Sequence, residues 1–515
     1  MTRAGQSFMR AGYVACECAA IVFALALAWW LAGPSPKVDP ALGHALLAAT
    51  AAVMVTLCAV FEFHELGKRW EWPDSALSAL ILGLLLGLLA LWLGRQHDII
   101  AGTAIAAVCA RLLIVMYQTG LSATLIPALA GACMGYWGFL LSYVDGYKTL
   151  WIDQAIQSGT VHVDLLFQSA VANMLSNYGV GSLGVDGLQP FPYHFGSHRA
   201  MIVMYELLGL DPLRFYSVVF PLIFVPVFVC VMFFFANALR TWLLQTDAAK
   251  NDWRNQNPGW FWAGLSVFFI GVIPIAERRE LGVWDNVFHS ESFGVAMLFA
   301  YFGGIWILEQ LRKYGQIRTT FLTALALGLY IYALCMLKIS VGLVFGCAVG
   351  YALLRSRIGL VQRLFGLLAV AVPLLLGLWL TRSNGEGGES GHGLMAMIKP
   401  FAFLRAIVTP DAYWLSFVAF FGPFVTFVAL RLLNERWKWP SDLSSRFRDH
   451  RLMDVELAIV ITIAAVIPGI LLDVPQGSTN FFAEVAYWWV QPLLAVLLSR
   501  LPLQVSARSS MVRRK

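Results

Sequence analysis

The stretch FYSVVFPLIFVPVFVCVMFFFA, residues 215–236, decides the fold class of this chain. It contains no charged residue, and it is long enough for an α-helix to cross about 30 Å of hydrocarbon. Residues 76–93, ALSALILGLLLGLLALWL, form a second run of the same kind. Over all 515 residues, 59% are hydrophobic and only 13% are charged, about half the charged fraction of a soluble protein. The sequence therefore predicts an all-α polytopic membrane protein and excludes a water-soluble enzyme.

Hydrophobic runs separated by polar breaks predict about fourteen transmembrane helices. Their predicted starts lie near residues 12, 41, 75, 99, 122, 213, 258, 291, 319, 339, 359, 411, 453 and 481. The runs divide the chain into three segments. These are a five-helix transmembrane segment (1–143), a large loop with amphipathic interfacial helices (144–212), and a C-terminal bundle of about nine helices (213–515) with shorter outer loops at 277–290, 382–410 and 473–480.

The basic residues predict the orientation of these helices. With the N-terminus placed in the cytoplasm, most of the 36 lysine and arginine residues fall on the cytoplasmic side, as the positive-inside rule requires. Both termini are therefore predicted to be cytoplasmic and the large loop periplasmic or extracellular, in a multi-pass protein of the bacterial cytoplasmic (inner) membrane. Because the net charge of +6 consists largely of topogenic residues, it does not indicate a nucleic-acid partner.

The large loop contains two helical patterns. Residues 163–178 (VDLLFQSAVANMLSNY) predict an amphipathic helix at the membrane interface, with Asp164 in its first turn, where a carboxylate suits the helix dipole. A turn-rich connector (179–187) and the motif FPYHFGSHR (191–199) separate it from a second such segment at 200–210. The predicted apolar stripe of the first helix consists of Leu166, Phe167, Ala170, Val171, Met174 and Leu175.

This loop resembles the large outer loop of GT-C superfamily glycosyltransferases, polytopic membrane enzymes that use lipid-linked sugars. The resemblance rests on an Asp that opens an amphipathic segment, a Tyr-Gly turn, an Asp-Gly pair and Tyr-His-x-Gly-Ser-His before the next span. In this sequence these are Asp164, Tyr178-Gly179, Asp186-Gly187 and residues 193–198. Five spans precede the loop here, whereas the family's loop usually follows the first span. The resemblance therefore implies that the first helices are an addition.

The resemblance also implies a reaction. In GT-C enzymes an outer-loop carboxylate removes a proton from the acceptor hydroxyl while the sugar leaves a polyprenyl phosphate. Asp164 is the first candidate for this base and Asp186 the second. By position alone, a helix-start cap is the favoured interpretation of Asp164 and an Asp-Gly turn that of Asp186. The donor would be a polyprenyl-phosphate sugar in a lipid membrane, and the acceptor a glycan, a lipid or a protein.

Histidines and cations of the outer side could bind the substrate. His194 and His198 are spaced four apart, so on a helix they could hold a divalent metal such as Mg²⁺ or Mn²⁺, with His162 or Asp164. Because Pro192 and Gly196 argue against a regular helix here, hydrogen bonding to a substrate hydroxyl or phosphate is favoured over a metal. A purely structural role in the loop fits as well as either. The candidate phosphate ligands are Arg199, Arg278, Arg279 and Lys338.

Three of these cations have a competing interpretation. Arg278 and Arg279 could simply pair with the glutamates that flank them. Lys338 stands between two apolar runs and could snorkel to the headgroups. A helix break at Ser340 and Gly342 would instead let Lys338 face a cavity, which Glu291 of a neighbouring loop could also line.

Two other functions fit the same composition. An O-antigen-type polymerase or ligase would depend on His198 and Arg199 more than on Asp164. A non-enzymatic transporter or flippase of lipid-linked glycans would carry ionisable residues near the bilayer midplane of several helices. The predicted spans place only Arg111 well inside the membrane, so the sequence favours the transferase.

Overall fold

The computed structural model describes residues 3–32, 39–72, 75–143, 147–184, 187–188, 195–246, 290–383, 453–471 and 480–498, with isolated residues between 261 and 288 and between 422 and 431. Every regular element in these residues is helical, so the all-α prediction is confirmed for the part of the chain described. Eight of the described helices are long and apolar enough to cross a membrane. The chain is thus a membrane-type helical protein.

The described helices are numbered in chain order. The first half of the chain contains α1 Arg3–Leu31, α2 Pro40–Arg69, α3 Ser75–Gln96, α4 Asp98–Thr119, α5 Leu121–Tyr143, α6 Ile152–Ser158, α7 Val163–Tyr178, α8 Gly196–Leu208, α9 Pro212–Arg214, a π-helical stretch Phe215–Val219 and α10 Phe220–Thr246. The second half contains α11 Glu291–Tyr314, α12 Phe321–Leu337, α13 Ile339–Arg355, α14 Leu360–Ser383, α15 Met453–Leu471 and α16 Asn480–Leu498.

The predicted starts of the spans agree closely with the described helices, apart from the first. Helix α1 begins at Arg3 rather than near residue 12, because a helix continues through polar flanking residues that a hydropathy pattern does not mark. The predicted starts near 258 and 411 lie outside the described residues. Helices α12 and α13 contain 17 residues each, about the shortest length that spans a bilayer.

The chain divides into two compact units. Unit 1 contains the described residues of Met1–Phe234 and Val287–Leu298, and unit 2 contains those of Phe235–Asn286 and Phe299–Lys515. In unit 1, α1 and α5 run parallel at very short distance, because α5 presents Gly131 and Gly135 to the backbone of Ala15 and Ala19. This is the small-xxx-small spacing that lets transmembrane helices approach closely.

This close approach makes Gly135 a test of the α1–α5 contact. A Cβ at Gly135 would lie only 2.8 Å from the Cα of Ala19, and backbone atoms cannot move aside as a flexible side chain can. We expect Gly135→Ala to lower the thermal unfolding midpoint in detergent, by an overpacking cost of roughly 1–3 kcal/mol. Gly102→Ala in α4 is the matched control, since nothing lies within 4 Å of a Cβ there. Equal midpoints for the two variants would refute the contact.

Polar contacts tie several helix ends together on one side of unit 1. We call this side the loop end of unit 1. It contains Lys148, α6, α7, α8 and α9, together with the helix ends that contact them. Arg95, at the end of α3, donates to the carbonyl oxygens of Glu206 and Leu207 in α8. The Arg214 guanidinium of α9 lies within 3.2–3.5 Å of three carboxylates, those of Asp39, Asp153 and Asp211.

Unit 2 contains an antiparallel hairpin of α12 and α13. The two helices are joined by Lys338 alone, whose backbone is extended (φ −160°, ψ 116°). The predicted break at Ser340 and Gly342 is therefore displaced to Lys338. At the other end of the hairpin, the Ile317 N–H donates to Ser356 Oγ at 3.1 Å.

Helix α15 is fixed to this hairpin by charge. Glu456 Oε2 of α15 accepts from Arg355 Nε of α13 at 2.7 Å and from the Tyr351 hydroxyl at 2.7 Å. A second pair, Arg431 Nε and Asp454 Oδ2, lies at 2.7 Å with both side chains fully buried.

Candidate functional site

The first turn of α7 presents the predicted base. Asp164 lies in that turn, and its side chain is 62% exposed. The N-cap is His162, whose Nδ1 accepts from the Asp164 backbone N–H at 3.2 Å. An imidazole that accepts at Nδ1 carries its proton on Nε2. Asp164 is therefore not the helix cap, and no described residue donates a hydrogen bond to its carboxylate.

A buried ion pair lies at the same end of unit 1. Lys148 Nζ is 2.7 Å from Glu291 Oε1, with side chains 0% and 2% exposed. The ammonium also donates to the carbonyl oxygen of Phe288 at 3.1 Å and lies 4.6 Å from the centre of the Tyr147 ring. Burial lowers the pKa of Lys148 below its ordinary value, against the opposing effect of Glu291. A carboxylate, a carbonyl oxygen and an aromatic ring thus surround the buried ammonium group.

Tyr147 joins this pair to the start of α7. Its ring centroid is 4.9 Å from that of His162, and His162 Nδ1 is 3.9 Å from Asp164 Oδ2. A continuous series of contacts therefore runs from the buried Glu291 through Lys148, Tyr147 and His162 to the exposed Asp164. We call these five residues the Asp164–Glu291 cluster. Sequence reasoning named three of them as candidates and missed Tyr147 and Lys148, which carry no motif.

The packing of α7 holds Asp164 at the surface. The helix spans Val163–Tyr178 as predicted, because His162 and Gly179 cap its two ends. Within the predicted apolar stripe, Val171 and Leu175 are buried in the protein, whereas Leu166 is 46% exposed. Ser169 and Ala172 are buried as well, and the Tyr205 hydroxyl of α8 donates to the Ala172 carbonyl oxygen. Helix α8 therefore lies against α7 at Ala172.

His198 is not accessible as a ligand. It lies in α8, is 1% exposed, and has the rings of Phe195 and Tyr216 at 6.2 and 6.4 Å. Its Nδ1 is 3.5 Å from Ser197 Oγ. Burial lowers the pKa of His198 to about 4, so this imidazole is neutral near pH 7. The geometry favours the structural interpretation of this residue.

This burial predicts how stability depends on pH. The ordinary pKa of histidine is 6.5, against about 4 for His198 in the folded chain. Between these values the unfolded chain binds a proton that the folded chain does not, so stability falls as pH is lowered from 6.5 to 4. The loss amounts to at most roughly 3 kcal/mol.

Chemical denaturation at pH 7 and pH 4.5 measures this loss. His198→Phe keeps the ring volume and should reduce the pH-dependent shift of the midpoint. His97→Asn, at an exposed histidine, should leave the shift as in the wild type. An undiminished shift in His198→Phe would contradict the account.

Of the other predicted ligands, Arg199 and Lys338 lie within the described residues. Arg199 is exposed in the first turn of α8, and it forms no ion pair with a described residue. The remaining candidates on the loops, Asp186, His194, Arg278 and Arg279, lie outside the described residues.

Lys338 occupies a site within unit 2. It is 5% exposed, so it does not snorkel into water. Its Nζ lies 3.8 Å from the centre of the Phe481 ring and interacts electrostatically with Glu484, which is fully buried in α16. Lys338 is thus held by protein groups at the tip of the α12–α13 hairpin.

The described residues alone do not form the predicted metal site. Among the described residues, no three His, Cys, Asp or Glu side chains converge as metal ligands. His198 faces aromatic rings, and His162 Nδ1 is engaged at the start of α7. The predicted set of His162, His194 and His198 is incomplete in the described part of the chain. No step of the proposed reaction is therefore assigned to a metal.

The described spans contain more ionisable groups than Arg111 alone. Arg111 of α4 pairs with Glu62 of α2, so it has the acidic neighbour that an arginine within a span requires. Glu17 lies inside α1 and is fully buried. The count made from the sequence was wrong on this point, because single glutamates barely lower the mean hydropathy of a long apolar run.

Comparison of the chain with protein-family models, with curated proteins and with solved structures gives no match. The function proposed below is therefore inferred from the residues of the Asp164–Glu291 cluster and the chemistry that they permit.

Proposed function

We propose that this chain is a GT-C-like membrane glycosyltransferase. In this proposal it moves a sugar from a polyprenyl-phosphate donor to an acceptor on the outer face of the bacterial cytoplasmic membrane. The observation that carries the proposal is the Asp164–Glu291 cluster, in which an exposed carboxylate is held at a helix start by contacts that extend to a buried ion pair. An exposed carboxylate on a rigid support is what general-base catalysis requires.

In the proposed reaction, Asp164 accepts the proton of the acceptor hydroxyl. The acceptor oxygen then forms a bond to the anomeric carbon of the sugar, while the bond from that carbon to the phosphate oxygen breaks. The bonding electrons leave with the polyprenyl phosphate. His162 supports the base, because its hydrogen bond fixes the backbone at Asp164.

The departing phosphate requires a cation or hydrogen-bond donors. Arg199 is exposed on α8 and is our candidate for this role. Lys148 is not, because its ammonium already contacts Glu291, Phe288 and Tyr147. Its proposed role is to position residues 147–149 beside α7.

The test uses purified full-length protein in proteoliposomes. These are incubated with a panel of radiolabelled polyprenyl-phosphate hexoses and pentoses and a bacterial membrane extract as the acceptor source. Label that moves from the polyprenyl carrier into a covalent product supports the proposal. Label that stays on its carrier with every donor would count against a transferase.

A transporter or flippase is the second candidate, and Glu17 inside α1 is the observation that favours it, since such proteins place ionisable groups within their spans. The same proteoliposomes separate the two functions, because transport moves label across the bilayer without a covalent product. The polymerase or ligase alternative gains no support from His198, which is buried.

A further inference from the structure

Glu17 is a carboxyl group without a visible role in the proposed reaction. It lies within α1, in a segment long and apolar enough to span the membrane. Its side chain is fully buried, and neither carboxyl oxygen has a hydrogen-bond partner in the described residues. A glutamate in this position is unusual, because intramembrane carboxyl groups generally have a partner.

The surroundings of Glu17 contain titratable groups but no neutralising cation among the described residues. The groups that interact with it come from α1 itself and from α2, α4 and α10, while α5 packs against this part of α1 with glycine backbone. They are one phenol and five thiols: Tyr13, Cys16, Cys18, Cys58, Cys109 and Cys230.

The described cation that interacts with neighbours of Glu17 is already paired. Arg111 interacts electrostatically with Tyr13 and Cys58, but its guanidinium bonds to Glu62. An ionised carboxylate in an apolar interior, with neither a cation nor a donor, costs several kcal/mol. The neutral acid avoids this cost, since only the ionised form needs a counter-charge.

We propose that Glu17 is a proton-binding site within the membrane part of unit 1. The ligand is a proton, held as the carboxylic acid and released to water as the carboxylate forms. Tyr13 and Cys58 each interact electrostatically with both Glu17 and Arg111. The side chains of the Arg111–Glu62 pair are 38% and 54% exposed. These polar groups mark the route by which the proton exchanges. The inference is independent of the glycosyltransferase proposal, because it concerns a different part of unit 1.

Infrared difference spectroscopy tests the site in full-length protein in proteoliposomes. The C=O stretch of a protonated carboxylic acid is separate from the amide bands and shifts when the acid proton is exchanged for deuterium. At pH 7 we expect a band of this kind that shifts in D₂O and disappears when the pH is raised. The band should be absent from Glu17→Gln and retained in Glu71→Gln, which removes an exposed carboxyl group.

Two results would overturn the proposal. The first is a wild-type spectrum at pH 7 that lacks any acid band removed by Glu17→Gln, since Glu17 would then be ionised. The second is a band that neither exchanges in D₂O nor titrates, since Glu17 would then be an inert buried acid.

A labelling measurement on the wild type covers the case in which Glu17→Gln fails to fold. Dicyclohexylcarbodiimide reacts with a protonated carboxyl group in an apolar site. The acid O–H adds across one N=C bond to give an O-acylisourea, which rearranges to a stable N-acylurea. Peptide mapping should find the adduct on Glu17 at pH 7 and less of it at higher pH. Absence of the adduct at pH 7 would contradict a protonated Glu17.

Discussion

Replacement of Lys148 by Met is expected to destabilise the protein by roughly 3–5 kcal/mol. Methionine retains most of the side-chain volume but removes the charge that lies 2.7 Å from Glu291 Oε1. Glu291 is 2% exposed, so its carboxylate would remain buried without its cation. Removing one partner of a buried pair costs more than the pair contributes, because the remaining charge cannot be solvated.

The double variant Lys148→Met/Glu291→Leu distinguishes this mechanism from a simple packing defect. With both charges removed, the penalty for an unpaired carboxylate disappears, and we expect the double variant to recover much of the lost stability. Lys313→Met, at an exposed lysine of α11, is the matched control and should stay within about 0.5 kcal/mol of the wild type. Denaturation midpoints in detergent measure all three. A double variant less stable than Lys148→Met would refute the role of charge.

The local parts of this structure were predictable from sequence. Helix α7 was predicted at 163–178 and is observed as Val163–Tyr178, because the residues that start and stop it are neighbours of the helix in sequence. The long apolar runs were predictable for a similar reason, since the length and hydropathy of each run are properties of that run alone. Neither property requires knowledge of what the helix packs against.

The contacts that build the candidate site were not predictable in this way. Lys148 and Glu291 lie in distant parts of the chain, and no spacing rule relates them. The contact between α7 and α8 shows the same limitation, because an apolar pattern does not reveal that the Tyr205 hydroxyl donates to the Ala172 carbonyl oxygen. Glu17 was overlooked because a single glutamate barely lowers the mean hydropathy of an apolar run, and its lack of a hydrogen-bond partner among the described residues is visible only in the folded chain.

The catalytic role of Asp164 leads to the second large effect. Asparagine has nearly the same shape as aspartate but cannot take up the acceptor proton. Because the carboxylate accepts no hydrogen bond from a described residue, Asp164→Asn should leave the fold and the start of α7 intact. Loss of a general base typically lowers the rate about 10²- to 10⁴-fold, so we expect transfer to fall by this factor with an unchanged unfolding midpoint.

A closely matched control exists in the same unit. Asp98 lies in the first turn of α4, with its carboxylate 2.7 Å from His44 Nδ1. Asp98→Asn therefore removes one exposed carboxylate beside a histidine at a helix start, as Asp164→Asn does, but outside the Asp164–Glu291 cluster. We expect it to transfer sugar at a rate close to that of the wild type.

The most direct test of the proposed function is the rate of sugar transfer from a polyprenyl-phosphate donor by three proteins in proteoliposomes. These are the wild type, Asp164→Asn and Asp98→Asn, each measured with the same donor and acceptor. We expect covalent product from the wild type and Asp98→Asn, and at least about 100-fold less from Asp164→Asn. Transfer by Asp164→Asn at the wild-type rate would contradict the assignment of the base, and absence of product from the wild type with every donor would contradict the proposed function.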